Sequence, residues 1–389
     1  MALNLFDSKG TPVAKQRFSW RELTPKPISK LDDDAFTRVR VILMNGVESD
    51  AVRLQYAMQR FNRELRLPIA EIMRAEHHQQ TMINWLLSPD HSPLEITIGY
   101  EQVAIEVTSS VAQNEPDPYL AQVYRFGLLE DFDHLYRYAA LMDRLEGKDA
   151  NNILQGYTDI IPGRPTSIQH RHPEDDLRDP YGPDSDPLSK IHAALITAAE
   201  YQTHEYYMHY GPWFADPVAR QLYAEIASVE AQHVTQYSSL INPDDDGLTQ
   251  LLMHEAMEVY TYWSCMEQED NPRIKAIWER FFDYELGHFH TVAELYKKTL
   301  RKDPQALFPK AFDRRIEFKS HRDFVAQVLQ EEVHLRARGP RFIEDKDAEG
   351  ERTIEYRETL NADGIPSDAA SAGYQWYPGT ELARKVVNL

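Results

Sequence analysis

Cysteine is almost absent from this chain of 389 residues, since Cys265 is its one thiol. A single cysteine excludes an intramolecular disulfide and a thiolate metal cluster, so any metal ion must be held by oxygen and nitrogen atoms. No apolar stretch behind a basic start opens the chain. Together these features predict an unsecreted, cytoplasmic protein.

Long hydrophobic runs and excess positive charge are also missing. No segment approaches the roughly 20 apolar residues of a membrane span, and the net charge of −20 disfavours binding to a phosphate backbone. Neither a membrane nor a nucleic acid is therefore an expected partner. The chain also lacks a glycine-rich phosphate loop and a serine-centred triad. It does contain 62 acidic residues and 15 histidines, which are potential metal ligands.

Apolar spacing and turn residues divide the chain into four parts. Residues 35–147 have helical periodicity, interrupted by SPDHSP and NEPDP. Residues 148–186 are rich in proline and aspartate and predict a linker or an irregular covering loop. Helical periodicity resumes over 187–300, with turns at GPWFADP, NPDDDG and EDNPR, so four helices are expected there. Residues 301–389 predict one helix near 319–337 and an irregular extension.

Two Glu-x-x-His motifs carry the chemistry of the second helical region. They are Glu230 with His233, and Glu285 with His288. Residues three apart project from the same face of a helix, so each carboxylate and imidazole can converge on one ion. Both motifs interrupt apolar stripes, where a charged residue needs a partner or a metal ion. We therefore interpret both motifs as metal ligands.

Each motif helix is preceded by a helix that carries its own glutamate. Glu200 precedes Glu230 by 30 residues, and Glu255 precedes Glu285 by 30. Measured from the intervening turns at 1.5 Å per residue, the members of each pair lie within about 6 Å in height. The predicted metal site consists of six residues: Glu200, Glu230, His233, Glu255, Glu285 and His288.

A third copy of the motif, Glu331 with His334, shows how easily the pattern arises by chance. Arg301 stands where its partner carboxylate would be required. We predict that this copy is an ordinary surface or capping pair.

The same intervals recur in the first helical region and indicate an internal duplication. Glu76, Glu101 and Asp131 repeat the spacing of Glu230, Glu255 and Glu285 at a constant offset of 154 residues, and His134 follows Asp131 by three. Gln79 stands where the second region has His233. Glu48 is the weakest candidate for the carboxylate of the first helix. A single ion, weak binding and a polar remnant remain as alternatives for this degenerate copy, with the remnant favoured.

The second region resembles the ferritin-like di-iron carboxylate superfamily, which includes rubrerythrins, bacterioferritins, ribonucleotide reductase small subunits and bacterial multicomponent monooxygenases. The resemblance rests on the order Glu, Glu-x-x-His, Glu, Glu-x-x-His over about 187–300, and in degraded form over about 35–147. It implies an all-α fold of two tandem four-helix bundles. It also implies that Glu230 and Glu285 bridge or chelate, that Glu200 and Glu255 are terminal ligands, and that both histidines are terminal.

The function that this resemblance implies is an oxidoreductase with two iron ions, or with manganese or a mixed pair. Its partners would be dioxygen or peroxide and a small organic substrate, and an electron-donor protein and a homodimer are compatible with it. Two alternatives remain open. One is a non-storage, ferroxidase-like metal-binding protein without organic substrate, and the other is a non-catalytic helical scaffold with buried ion pairs.

Overall fold

The computed structural model describes residues 2–30 and 33–378, and this part of the chain is mainly helical. Its first half contains α1 (Trp20–Leu23), α2 (Ala35–Phe61), α3 (Arg66–Asn84), α4 (Pro93–Asn114), α5 (Pro118–Glu146), α6 (Asn151–Leu154) and α7 (Pro173–Asp176). Its second half contains α8 (Pro187–Tyr210), α9 (Pro217–Ser238), α10 (Gly247–Gln268), α11 (Pro272–Leu300), α12 (Arg322–Glu332), β1 (Leu335–Arg338), β2 (Arg341–Glu344), α13 (Glu351–Leu360) and α14 (Pro366–Ser371). The two strands form one antiparallel hairpin. The prediction of a mainly α-helical protein is confirmed.

Asp-Pro and Asn-Pro pairs mark the starts of several long helices. Asp117, Asp186, Asp216 and Asn271 each accept a hydrogen bond from a backbone N–H of the first turn, and a proline follows each of them. The side chain satisfies a donor that the helix leaves free, and proline loses nothing where no helical hydrogen bond is made. These pairs place the helix starts where the turn signals predicted them.

The eight long helices form four hairpins, α2–α3, α4–α5, α8–α9 and α10–α11. The hairpins α2–α3 and α10–α11 join in one ring of four helices, because α2 contacts α10 and α3 contacts α11. The hairpins α4–α5 and α8–α9 join in a second ring through α4 with α8 and α5 with α9. Contacts of α8 with α2 and α10 hold the rings together around a shared hydrophobic core.

Each ring thus combines one hairpin from each half of the sequence, whereas the tandem expectation places one bundle in each half. The reason is topological. Short turns at 115–117 and 269–271 force the two helices of a hairpin together, but the segments 85–92 and 239–246 leave the next hairpin free to pack elsewhere. Among the described residues, none of the helices has both the length and the apolar character needed to cross a membrane.

Residues 148–186 cover the second ring rather than forming an exposed connection. Arg164, Gln169 and Arg171 are buried against it. The C-terminal region also packs on this ring, because α14 contacts α5 and α9. There, Arg137 of α5 donates hydrogen bonds to the Ser367 carbonyl and to the Ser371 hydroxyl. Residues 379–389 of the predicted extension lie outside the described residues.

Candidate metal centres

The second ring encloses a cluster of carboxylates and imidazoles that we call cluster II. Its members are Glu101, Asp131, His134, Glu200, Glu230 and His233. All six are buried and come from α4, α5, α8 and α9. Ligand atoms of Asp131, Glu200, Glu230 and His233 lie within 4.8 Å of one another, and so do those of Glu101, His134 and Glu230. Glu230 belongs to both sets, so cluster II has the ligand layout of two adjacent ions with one shared carboxylate.

The first ring encloses cluster I. Its members are Glu48, Glu76, Glu255, Glu258, Glu285 and His288. They are again buried and come from α2, α3, α10 and α11. Two overlapping ligand sets occur here too, and they share Glu76 and Glu285. The arrangement therefore has two candidate bridging carboxylates and only one imidazole.

The six residues predicted as one C-terminal site are divided between the clusters. Glu200, Glu230 and His233 lie in cluster II, whereas Glu255, Glu285 and His288 lie in cluster I. The pairs predicted within a hairpin do come together, but the two hairpins join different rings. The candidates of the predicted N-terminal copy supply three further members of cluster II and two of cluster I. Glu331 and the 80% exposed side chain of His334 lie on the surface.

The imidazole of His233 is oriented by a buried charge network. Its Nε2 lies 2.9 Å from the Glu130 carboxylate, which lies 2.6 Å from Nη1 of Arg171. Its Nδ1 lies 3.2 Å from Asp131 and 3.3 Å from Glu230. With Nε2–H donating to Glu130, the Nδ1 lone pair faces carboxylates. That position requires a proton or a metal ion.

His134 and His288 are each oriented by a glutamine from outside the long helices. Nε2 of His134 lies 2.7 Å from Oε1 of Gln169, whose amide nitrogen donates to the Arg164 carbonyl. Nε2 of His288 lies 2.8 Å from Oε1 of Gln16, whose amide donates to the carbonyls of Thr11 and Tyr284. Because each amide nitrogen is occupied by carbonyl oxygens, its oxygen faces the imidazole. Nδ1 of each histidine is then left facing its cluster, as metal-ligating histidines require.

Neutral donors hold several carboxylates in place. The hydroxyls of Tyr207 and Tyr262 donate to Glu101 and Glu48. Gln79, the counterpart of His233, donates its amide to Glu48 at 3.0 Å and to Glu285. The amide in cluster I therefore orients two carboxylates in the position where cluster II has an imidazole.

Both clusters crowd several carboxylates together in a buried environment. Burial raises the pKa of Glu200 well above its ordinary range, and the nearby Asp131 raises it further. Burial likewise raises the pKa of Glu101 and that of Glu258. Burial opposes the charged form of His134, but Glu230 and its neighbours outweigh it and raise the pKa to about 10. Each cluster thus retains protons that a divalent cation would displace.

Buried oxygen atoms without a hydrogen-bond partner provide a direct test of whether metal ions fit. They include Oδ1 and Oδ2 of Asp131 and one carboxylate oxygen of each of the following residues: Glu48, Glu76, Glu101, Glu200, Glu230, Glu255 and Glu258. Buried polar atoms are rarely left unpaired. Two oxygen ligands on opposite sides of an ion, each about 2.1 Å from it, are about 4.2 Å apart, and the ligand atoms of each set all lie within 4.8 Å of one another. The residues present therefore fit divalent cations.

Sequence reasoning leaves several functional residues unassigned and misses others. Glu258 lies three residues after Glu255 on the same helix face, and that spacing is a usable signal. Glu130 is buried beside Asp131 but points to His233 from the outside of the cluster. Gln16 and Gln169 lie in irregular segments and carry no periodic signal.

No family model matches the chain, and comparisons with curated proteins and with solved structures also find no match. The interpretation of the clusters therefore depends on their geometry.

Protonation of the clusters in metal-free protein predicts an unusual pH dependence of stability. A histidine with a raised pKa stabilises the fold fully below its unfolded-state pKa, and that contribution is lost as the pH rises through the folded-state pKa. Carboxyls with raised pKa values, such as Glu101 and Glu200, act in the same direction. The melting temperature of chelator-treated protein should therefore fall by about 5 °C or more between about pH 6 and pH 9.

Differential scanning fluorimetry across this pH range checks the prediction, with metal-loaded protein as the control. Bound cations take the place of the protons, so the loaded protein should vary less over the same range. A melting temperature of the chelator-treated protein that stays level or rises with pH would contradict it.

Proposed function

We propose that both clusters bind pairs of divalent transition-metal ions and that the protein is an oxidoreductase of the ferritin-like di-iron type. Iron is the proposed metal, and manganese or a mixed pair fits the same ligands. Dioxygen or peroxide is the proposed oxidant, and a small organic molecule the substrate. The observation that carries the proposal is the position of His233, whose Nδ1 lies among carboxylates while Glu130 occupies Nε2.

The charge of cluster II supports a pair of ions. Its four carboxylates, Glu101, Asp131, Glu200 and Glu230, match the charge of two divalent cations, and two neutral imidazoles complete the set. When bound, a redox-active metal pair supplies the electrons that reduce dioxygen or peroxide. The protein residues orient both imidazoles, keep the carboxylates at fixed positions and exclude bulk water, because all six ligands are buried.

Cluster I is richer in oxygen ligands. It has five carboxylates and one imidazole, and Gln79 stands in place of the second histidine. Carboxylate-rich sites suit manganese better than imidazole-rich sites do. We therefore propose that manganese competes with iron more effectively at cluster I than at cluster II.

Anaerobic reconstitution with ferrous iron, followed by oxygen uptake on an electrode, tests the proposed activity. His233→Ala removes an oriented ligand of cluster II and should lower oxygen consumption by about half, because cluster I stays occupied. His290→Ala is the matched control, because His290 lies on α11 with its Nε2 on the Ser8 carbonyl, away from both clusters. Equal oxygen uptake by the two variants would contradict the proposal. Uptake independent of any organic compound would favour the ferroxidase-like alternative, and failure to bind metal would favour the scaffold.

A further inference from the structure

A cavity of about 540 Å³ lies between α2, α8 and α10, close to cluster I. Its volume is within the range of small-molecule sites. Most of its wall is apolar, with Leu54, Ala194, Ile241 and Met253 among the lining residues. The cavity opens at the protein surface, where Tyr56 is 55% exposed. These features fit the apolar body of an organic molecule.

The polar residues of the cavity favour an anionic ligand. Two cationic side chains line it, Arg53 and Lys190, against the single carboxylate of Asp50. Arg53 forms an ion pair with Asp50 at 3.2 Å, and Lys190 has no carboxylate partner among the lining residues. Lys190 is only 7% exposed and donates to the Pro183 carbonyl at 2.8 Å. An ammonium group has three donors, so a carboxylate oxygen of a ligand can accept another. A local excess of positive charge is unusual on a chain with a net charge of −20.

The cavity is connected to cluster I by contacts between three side chains. Asp50 and His254 both line the cavity, and Nε2 of His254 lies 3.2 Å from the Asp50 carboxylate. Nδ1 of the same ring lies 3.4 Å from Glu258, a member of cluster I. The imidazole ring of His254 therefore lies between a molecule in the cavity and Glu258 of cluster I.

We propose that this cavity binds a small organic anion with an apolar body, such as a medium-chain carboxylate, and holds it beside cluster I. Lys190 binds the carboxylate, and the apolar wall binds the chain. The role of this molecule as the substrate rests on the proposed function, whereas its binding does not require a metal ion.

Isothermal titration calorimetry with octanoate and with octan-1-ol tests the binding site. Lys190→Met removes the ammonium group and keeps the side-chain length, so it should weaken octanoate binding by about tenfold or more and leave octanol binding nearly unchanged. Ala194→Trp fills the cavity and should abolish the binding of both compounds. Lys298→Met, on the exposed face of α11, should change neither.

Circular dichroism of each variant checks that it is folded. If Lys190→Met does not fold, Arg53→Met provides a second charge variant. Octanoate binding that is unchanged in Ala194→Trp, or no octanoate binding by the parent protein, would overturn the proposal. Octanol binding as tight as octanoate binding would overturn the assignment of an anionic ligand. Metal content measured on the same samples separates these outcomes from failure of the proposed metal centres.

The position beside cluster I has its own test. In protein loaded with Mn²⁺, paramagnetic ions should broaden the proton resonances of bound octanoate. The broadening should be lost in Glu285→Ala, which removes a ligand of cluster I, and kept in Glu230→Ala, which removes one of cluster II. The reverse pattern would place the ligand beside the other cluster and overturn the proposal.

Discussion

Glu230→Ala is expected to abolish metal binding at cluster II and to leave cluster I occupied, and Glu285→Ala is expected to do the reverse. Glu230 belongs to both ligand sets of cluster II, and Glu285 belongs to both sets of cluster I. Each substitution therefore removes a shared ligand from one ring only. By plasma mass spectrometry, the parent protein should contain about four ions per chain and each variant about two.

The double variant should contain none, and Glu331→Ala is the matched control because Glu331 lies on the surface in the third copy of the motif. A single site built from all six predicted C-terminal ligands requires a different result. In that arrangement, either single substitution would disrupt the same pair of ions, and the Glu230→Ala and Glu285→Ala variants would lose the same metal. A double variant that loses no more metal than either single variant would therefore contradict the division into clusters I and II.

Local spacing and global pairing differ in how well the sequence predicts them. The inward-facing ligands follow from helical periodicity, and partners within one hairpin follow from the distance of each residue to a short turn. Glu200 and Glu230 therefore meet in one cluster, and so do Glu255 and Glu285. Which hairpin packs on which is decided by contacts between distant parts of the chain, such as α2 with α10. The spacing of residues along the sequence does not predict those contacts.

The members of the predicted duplication are distributed over both clusters in the folded chain. Judged by itself, the N-terminal set of Glu76, Glu101, Asp131 and His134 is an incomplete copy beside a complete one. In the structure the N-terminal candidates supply three of the six members of cluster II and two of the six members of cluster I. Cluster II receives both Asp131 and His134 and has two imidazoles. Cluster I receives Gln79 and has one. The position at which Gln79 stands in place of a second histidine thus belongs to cluster I alone.

The orienting residues are the least predictable part of the candidate site. Gln16 and Gln169 act through a single amide each, at positions fixed by backbone carbonyl groups. Neither helical periodicity nor the spacing of motifs along the sequence identifies such a residue before the fold is known. Their equivalent roles in the two clusters explain why the N-terminal segment and residues 148–186 are packed against the rings.

Arg171→Met is expected to lower the free energy of unfolding by about 3–5 kcal/mol, because it leaves a buried carboxylate without its nearest cation. Arg171 lies 2.6 Å from Glu130 and 2.8 Å from Asp176, and all three side chains are buried. Burial acts to raise the pKa of Glu130, but Arg171 and then His233 and Arg164 outweigh it and hold the pKa well below its ordinary value. Glu130 is therefore ionised at neutral pH in the parent protein, and Arg171→Met removes the largest of the charges that hold its pKa down.

Urea unfolding of chelator-treated protein measures this effect without the contribution of bound metal. Arg322→Met removes a cation from an exposed ion pair with Asp159, at the same 2.8 Å separation, and should cost about 1 kcal/mol or less. Adding Glu130→Gln to Arg171→Met should recover part of the loss, since the unpaired charge is then removed. Equal costs for Arg171→Met and Arg322→Met would show that the network around Glu130 is not a buried charge pair in solution. The orientation of His233 would then need another cause, because Glu130 is the group that holds its Nε2 away from the cluster.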